Sequence, residues 1–316
     1  MTVQEIFKLR KQGRIEEAYE AIRPMYAVHK GKYTTLAMFW TASDILKKRI
    51  TEKRFAEAMK IFEALLRVLP AIDDKDGRAH AAIMSAAQRL GQESSDFSTL
   101  KFIQEFGVEK FTDADWQGIM PTPKEGQPEG KRQFPLPSIA QRLLTRAFHD
   151  IRRQPTVENA LIVAPLLHEA LRRQPRNKNN QRFMAILYGI MGEREKAKAI
   201  YHELLRRHHD SWLYAELAQL TDDAGLKAAL LCQAITHQRQ EQFRIGYHLQ
   251  LTRLLIDRDK PRAAHELQRC IDIRKKSGQP ITRELRDLQA QLAGITPATP
   301  SAQQDFYRRM ALKYKL

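Results

Sequence analysis

Only two cysteines, Cys232 and Cys270, stand in this chain of 316 residues. They are too few and too far apart for a disulfide framework or a zinc site, and such scarcity agrees with a reducing compartment. Long apolar runs are missing too. None approaches the roughly 18 residues that cross a bilayer, and the opening MTVQEIFKLRK lacks the apolar h-region of a signal peptide. The sequence therefore predicts a soluble, cytoplasmic chain with no membrane partner. Strand signals are nearly absent, with no alternating Val, Ile, Thr run and no Asn-Gly hairpin, so sheet is not expected. Phosphate-cradling Gly-rich loops, a Ser nucleophile elbow, a two-His zinc helix and an EF-hand loop are likewise lacking. No catalytic residue, cofactor or metal is predicted, and the chain reads as non-enzymatic.

What is present is 43% apolar residues, enough for a substantial core. Lys and Arg number 53 against 37 Asp and Glu, a net charge of +16. That excess points to an anionic partner, or simply to solubility.

The stretch FMAILYGIMGEREKAKAIYHELLRRHH, residues 183–209, carries apolar residues at helical intervals on both sides of Met191-Gly192-Glu193. The pattern predicts two helices joined by a tight turn. Gly192 suits the left-handed position that ends a helix. Ala197 allows close helix approach, with Tyr188 and Tyr201 filling the space beside it. This spacing resembles the tetratricopeptide repeat, a helical hairpin of about 34 residues. The pattern recurs. NALIVAPLLHEALRRQP places Val163, Leu167, Ala170, Leu171 and Pro175 one period earlier, and RFAEAMKIFEALLRVLP places Ala58, Phe62, Leu65 and Pro70 at the same offsets. LRKQGRIEEAYEAI supplies Leu9, Gly13 and Ala18, while Leu254, Ala263, Leu267 and Cys270 lie 66 residues beyond Tyr188, Ala197, Tyr201 and Leu204, with a unit between them beginning at Trp212. The expected fold is an all-α, tetratricopeptide-like solenoid of helical hairpins with degenerate repeats, weakest over 75–118.

Helix-capping residues are expected at Asp113, Ser138 and Ser301, a first-turn proline at Pro261 and a stop at Gly278-Gln279-Pro280. The run PTPKEGQPEGKRQFPLP, residues 121–137, reads as an exposed linker. The predicted organisation is an N-terminal helical region over 1–118, a linker over 119–137 and a C-terminal array with terminal capping helices over 138–316.

LRKQGRIEEAYEAIRPMYAVHKGKYTTLAMFWTASDILKKRI near the N-terminus resembles the opening of degenerate repeat proteins from bacterial conflict (phage-defence) operons. FPLPSIAQRLLTRAF, HHDSWLYAELAQL and the helix pair from Ile245 to Lys276 continue the likeness. The resemblance implies a role in such a system. Members of that group often carry a small nucleic-acid-binding β-barrel at the C-terminus, an implication that does not extend to this sequence, which offers no room for one.

Candidate chemistry has a structural counterpart at each position. His208 and His209 are adjacent, so on a helix they point about 100° apart and do not share a metal readily. Asp73-Asp74 and Asp222-Asp223 sit in turn-like contexts that suit helix caps. Cys232 and Cys270 fall on apolar faces, where a thiol behaves as a small hydrophobe. Trp40, Phe62, Tyr188, Tyr201 and Trp212 are expected in the core; Trp116, beside the linker, is either packed or a docking residue. The basic residues carry a position as well as a number. Arg172-Arg173 and Arg206-Arg207 are 34 apart and Arg274-Lys275-Lys276 follows two repeats later, each at the end of a second helix. Cations there offset the helix dipole. With Arg176, Lys178, His208 and His209 they also form a candidate basic ridge that would meet an acidic protein or a phosphate backbone.

The expected function is a scaffold or adaptor that takes a protein partner, a peptide or helix, in the groove of the array. An accessory nucleic-acid-binding protein, weak and nonspecific, is the alternative. A regulator that senses a peptide or small ligand is a third class.

Overall fold

The structure, a computed structural model, describes residues 1–118 and 135–313. Most of the expected linker, 119–134, lies outside the described residues. Among those described there is no β-strand beyond an isolated bridge at Leu136, and the chain is all-α. Contacts gather it into two compact units, Met1–Arg173 and Gln174–Leu316.

The first unit holds α1 (Val3–Lys11), α2 (Ile15–Val28), α3 (Lys32–Thr51), α4 (Phe55–Val68), α5 (Arg78–Glu93), α6 (Thr99–Phe106), α7 (Ile139–Arg153) and α8 (Val157–Arg173). Two of its turns share one chemistry. Gly13 has φ +76°, and the following Arg14 N–H donates back to Leu9 O at 3.0 Å; Lys53 has φ +58°, and Arg54 N–H donates to Arg49 O at 2.9 Å. Both are left-handed closures that satisfy a helix-end carbonyl and turn the chain back on itself. The hairpin contacts are those the repeat pattern names. Ala18, Ala58, Phe62 and Leu65 are all buried. Arg49 then ties α2, α3 and α4 together through Glu16, Glu52 and Glu57.

Over 75–118 the repeat spacing fades because a different core takes over. Phe62 meets Phe97 and Phe102 at 5.6 and 5.7 Å, Phe102 stacks on Phe106 at 5.1 Å, and Phe111 and Trp116 extend the chain of rings. Ring pairs at these separations add about 0.5–1.5 kcal/mol each beyond their buried area. The short turn at Asp113–Trp116 is capped by Thr112, not by Asp113: Thr112 and Asp115 form a reciprocal capping box.

The expected division at the Pro/Gly-rich run is not where the contacts divide. Helices α7 and α8 pack on α5 and α6, within the first unit. The Thr99 N–H donates to Asp150 on α7 at 2.9 Å. Gly118, before the run, lies so close to Leu136, after it, that an added Cβ would stand 3.1 Å from the Leu136 carbonyl oxygen. The residues on either side of the run, Gly118 and Leu136, thus belong to one unit, which proline and glycine content alone does not reveal.

The second unit holds α9 (Lys178–Ile190), α10 (Arg194–Leu205), α11 (Ser211–Leu220), α12 (Ala224–His237), α13 (Ile245–Leu255), α14 (Lys260–Lys276), α15 (Arg283–Gln291) and α16 (Pro300–Lys313). Helices α9/α10, α11/α12 and α13/α14 form three successive hairpins, and each packs on the next through α10 to α11 and α12 to α13. Gly192 has φ +81°, and Glu193 N–H reaches Tyr188 O at 2.8 Å. Ala197, Leu204 and Leu205 are fully buried and Tyr201 nearly so. Burying each such leucine contributes about 1.5–3 kcal/mol. Ala263, Leu267 and Cys270 occupy the equivalent places two units on. Ser138 and Pro261 sit where expected, at the starts of α7 and α14. Helix α16 begins at Pro300, and Thr299, not Ser301, accepts the Ala302 N–H.

Candidate interaction surfaces

The first helices of the three hairpins, α9, α11 and α13, are joined by a polar and aromatic cluster. Trp212 opens α11 half-buried, with the Arg182 guanidinium of α9 over its ring at 4.3 Å and the Lys178 ammonium at 5.5 Å. Arg182 forks onto Glu216, its Nε 2.8 Å from Oε2, and the Tyr201 hydroxyl donates to the same carboxylate at 3.1 Å. Burial works against the Arg182 charge, but Glu216 outweighs it and the guanidinium pKa rises. Lys178 donates to Asp210 at 2.7 Å. The Ser211 and Tyr247 hydroxyls lie 3.3 Å apart, bringing in α13, and Gln238 donates to Ser211 at 3.1 Å. A half-buried indole held by two cations of one helix has a defined orientation and a low conformational entropy to lose, which suits recognition of an apolar or aromatic group.

Sequence spacing assigned Trp212 to the core. It does pack on the core of the second unit, yet it is only half-buried. The missed signal is the placement of Lys178 and Arg182 four residues apart, one turn of the same helix face, some 30 residues before the tryptophan.

The expected basic ridge is present as residues but largely neutralised. Arg172 forks onto Glu169, with both hydrogen bonds at 2.7 Å. Arg173 donates to Glu169 and to Asp113, each at 2.6 Å. Arg206 and Arg207 lie 3.4 and 3.5 Å from Glu203, Lys276 lies 3.0 Å from Glu241, and Arg274 donates to the Pro280 carbonyl at 2.8 Å. Arg176 and Lys275 are exposed. Arg172, Arg173, Arg274, Lys275 and Lys276 occupy the last turns of α8 and α14, where cations meet the negative end of the helix dipole. Lys178 and Arg176 do not share that placement, since they stand at the start of α9.

A second surface lies in the first unit. A groove of about 570 Å³ runs between Val108, Phe111 and Trp116 on one side and Pro165, His168 and Arg172 of α8 on the other. Arg173 lies over the Trp116 ring at 5.3 Å. Trp116 is therefore packed against a cation at the groove wall.

The remaining chemical candidates resolve into structure. Burial pushes the Cys270 thiol up to about 12 and Cys232 up as well, so neither supplies a thiolate near neutral pH. His209 Nδ1 is 2.9 Å from the Tyr214 hydroxyl, and its ring stacks on His237 at 5.5 Å. Asp74 accepts the Ala79 and His80 N–H groups at 2.9 and 2.7 Å, and Asp223 caps α12. Tyr188 is half-buried rather than interior, with Lys196 5.5 Å from its ring centre. Trp40 is half-buried and meets Phe39 edge-on at 5.3 Å. Among the described residues no group of three or more His, Cys, Asp and Glu side chains is arranged to hold a metal ion, and no helix is long and apolar enough to cross a membrane.

Residues 181–313 match the model of a family described as a domain of unknown function, DUF7017. The span begins within α9 and takes in Arg182, Trp212 and Glu216 of the cluster, but not Lys178. No curated protein matches the chain. Among solved structures it is similar to a tetratricopeptide repeat protein from Parabacteroides merdae, with 13% identity, a TM-score of 0.43 and coverage of 92% of this chain and 96% of that one. It is also similar to the TPR2AB domain of yeast Sti1 in a complex with pHSP90, at 12% identity and TM-score 0.33, covering 92% and 96%. BtubC (BKLC) from P. vanneervenii gives 12% identity and TM-score 0.28, covering 92% and 94%.

Proposed function

We propose that this chain is a non-catalytic protein-interaction adaptor that holds a peptide or helix of its partner against the α9, α11 and α13 face of its second unit. The observation that carries the reading is the half-buried Trp212 ring, clamped by Arg182 and Lys178 and surrounded by a hydrogen-bonded collar. Such a surface combines a rigid apolar anchor with fixed polar groups, the composition that dominates protein recognition sites. Placement of the adaptor in the cytoplasm, within a bacterial conflict (phage-defence) system, rests on the sequence likeness of its N-terminal repeat to proteins of such operons.

The test is cross-linking and affinity capture in the native cell, comparing the wild-type chain with Trp212→Ala and with Arg206→Glu/Arg207→Glu. Loss of the same partner in Trp212→Ala but not in the charge reversal is expected. Equal capture by all three chains, or loss only on charge reversal, would overturn the proposed site. Nucleic-acid binding through the basic residues is the competing reading. The carboxylates already holding Arg172, Arg173, Arg206, Arg207 and Lys276 support a helix-end role for them instead.

A further inference from the structure

The second unit contains a carboxylate with no solvent exposure, Glu266 of α14. Its donors come from two other helices. On one side His248 of α13, itself buried, places Nδ1 2.5 Å from Oε2. On the other, the Tyr307 hydroxyl donates to Oε1 at 2.5 Å and the Gln303 side-chain amide donates to the same oxygen, both from α16. Burial and the neighbouring carboxylate push the Tyr307 hydroxyl pKa up, so it remains a donor.

The apolar seat of α16 is thin. Its buried residues are Gln303 and Met310, with Phe306 and Tyr307 only partly covered and Arg262 4.8 Å from the Phe306 ring centre. By contrast α14 buries Ala263, Ala264, Leu267, Cys270, Ile271 and Ile273. Docking also leaves a polar atom of α16 unsatisfied: Gln303 Oε1 is buried without a hydrogen-bond partner. That atom regains water when α16 lifts, while Glu266 loses two of its donors. The docked state is thus a balance in which a polar contact replaces the usual apolar margin.

The geometry points to α16 as a detachable latch pinned by the Glu266 carboxylate, which lifts as one element from α12 and α14 while the rest of the second unit stays folded. A hinge is in place. Ala298 N–H donates to Pro261 O at 2.9 Å and Ala298 O lies 2.8 Å from His265 Nδ1, so the connector stays on α14 and the chain turns from Thr299 into Pro300. At the far end α16 packs on α12, where the Gln233 side-chain amide donates to the Ala311 carbonyl at 3.3 Å. The latch covers α12, which buries Ala228, Ala229, Leu230, Leu231, Cys232, Ala234 and Ile235. A helix apolar nearly all round is one enclosed on every side, and here α16 closes the side that α11 and α13 leave.

Cys232 is a native reporter of that opening, since it is fully buried on α12, the helix on which α16 packs. Hydrogen exchange and mass-mapped alkylation on the full chain, wild type against Tyr307→Phe, test the proposal. Tyr307→Phe removes that one hydrogen bond to Glu266 and keeps the half-buried ring, so it weakens the pin while leaving the packing in place. In Tyr307→Phe the amides of 300–313 and the Cys232 thiol should react about tenfold faster or more, as loss of a charge-assisted hydrogen bond implies. Amides of α9 to α11 should keep their protection. If Cys232 and residues 300–313 react only on global unfolding, or if Tyr307→Phe leaves their rates unchanged, α16 is a fixed part of the core and the latch is refuted. Should the variant fail to fold, wild-type exchange across a denaturant series decides the matter. A sub-global opening shared by 300–313 and Cys232 sustains the latch, and its absence overturns it.

Discussion

Lys53 occupies the place in its hairpin that Gly13 and Gly192 occupy in theirs, with φ +58° against +76° and +81°. The left-handed conformation costs a non-glycine residue roughly 1–2 kcal/mol, part of which glycine would return to unfolded-chain entropy. Lys53→Gly should therefore stabilise the first unit by about 0.5–1 kcal/mol, read as a rise in its chemical-denaturation midpoint. Gly192→Ala should destabilise the second unit by about 1 kcal/mol. A Cβ at Gly192 would meet nothing within 4 Å, so the conformation alone is responsible. A null or opposite change in either variant would show that the turn closures do not carry the energy assigned to them.

At the scale of the element, the helices and their buried faces were legible because their chemistry is local. Ala197 with Tyr201, Leu204 and Leu205, and Ala58 with Phe62 and Leu65, repeat one spacing that a hairpin imposes on any sequence. Caps were less so: Thr112 and Thr299 displace Asp113 and Ser301, a shift of one or two residues that any of several oxygen-bearing side chains could make. The aromatic chain from Phe62 to Trp116 and the return of α7 and α8 to the first unit depend on partners distant in sequence. The Trp212 cluster was half legible, its aromatic found and its exposure missed. Helix α8 offers an element-scale prediction at its C-terminal turn. The Arg172 and Arg173 guanidinium groups, in that order, hold the Glu169 carboxyl down to about 2. A carboxylate depressed in the folded state stabilises it above its unfolded pKa, near 4.5, and that contribution disappears as pH falls through the folded value. Wild type should thus exceed Glu169→Gln in stability at neutral pH, and the gap should close between about pH 4.5 and 2. A gap that does not vary with pH would assign the effect to packing rather than to charge.

For the whole molecule, the question is what a net charge of +16 serves. Charge of one sign draws polyanions in proportion to the cations free to displace counterions. Arg172, Arg173, Arg206, Arg207 and Lys276 are held by carboxylates of their own chain, and each would have to give up that ion pair before gripping phosphate. Such exposed pairs are individually weak, so they weaken a phosphate contact without forbidding it. The wild-type chain should bind single- or double-stranded nucleic acid no tighter than about 10⁻⁴ to 10⁻⁶ M at physiological salt, the nonspecific range. Reversing Arg206, Arg207 and Lys275 to Glu should flatten the salt dependence of that weak binding and leave capture of the protein partner intact. Fluorescence anisotropy across a salt series reads the first effect and native-cell capture the second. Nanomolar, salt-resistant binding to a defined DNA or RNA by the isolated chain would reverse the assignment, making the basic residues the site and Trp212 an ordinary packing residue.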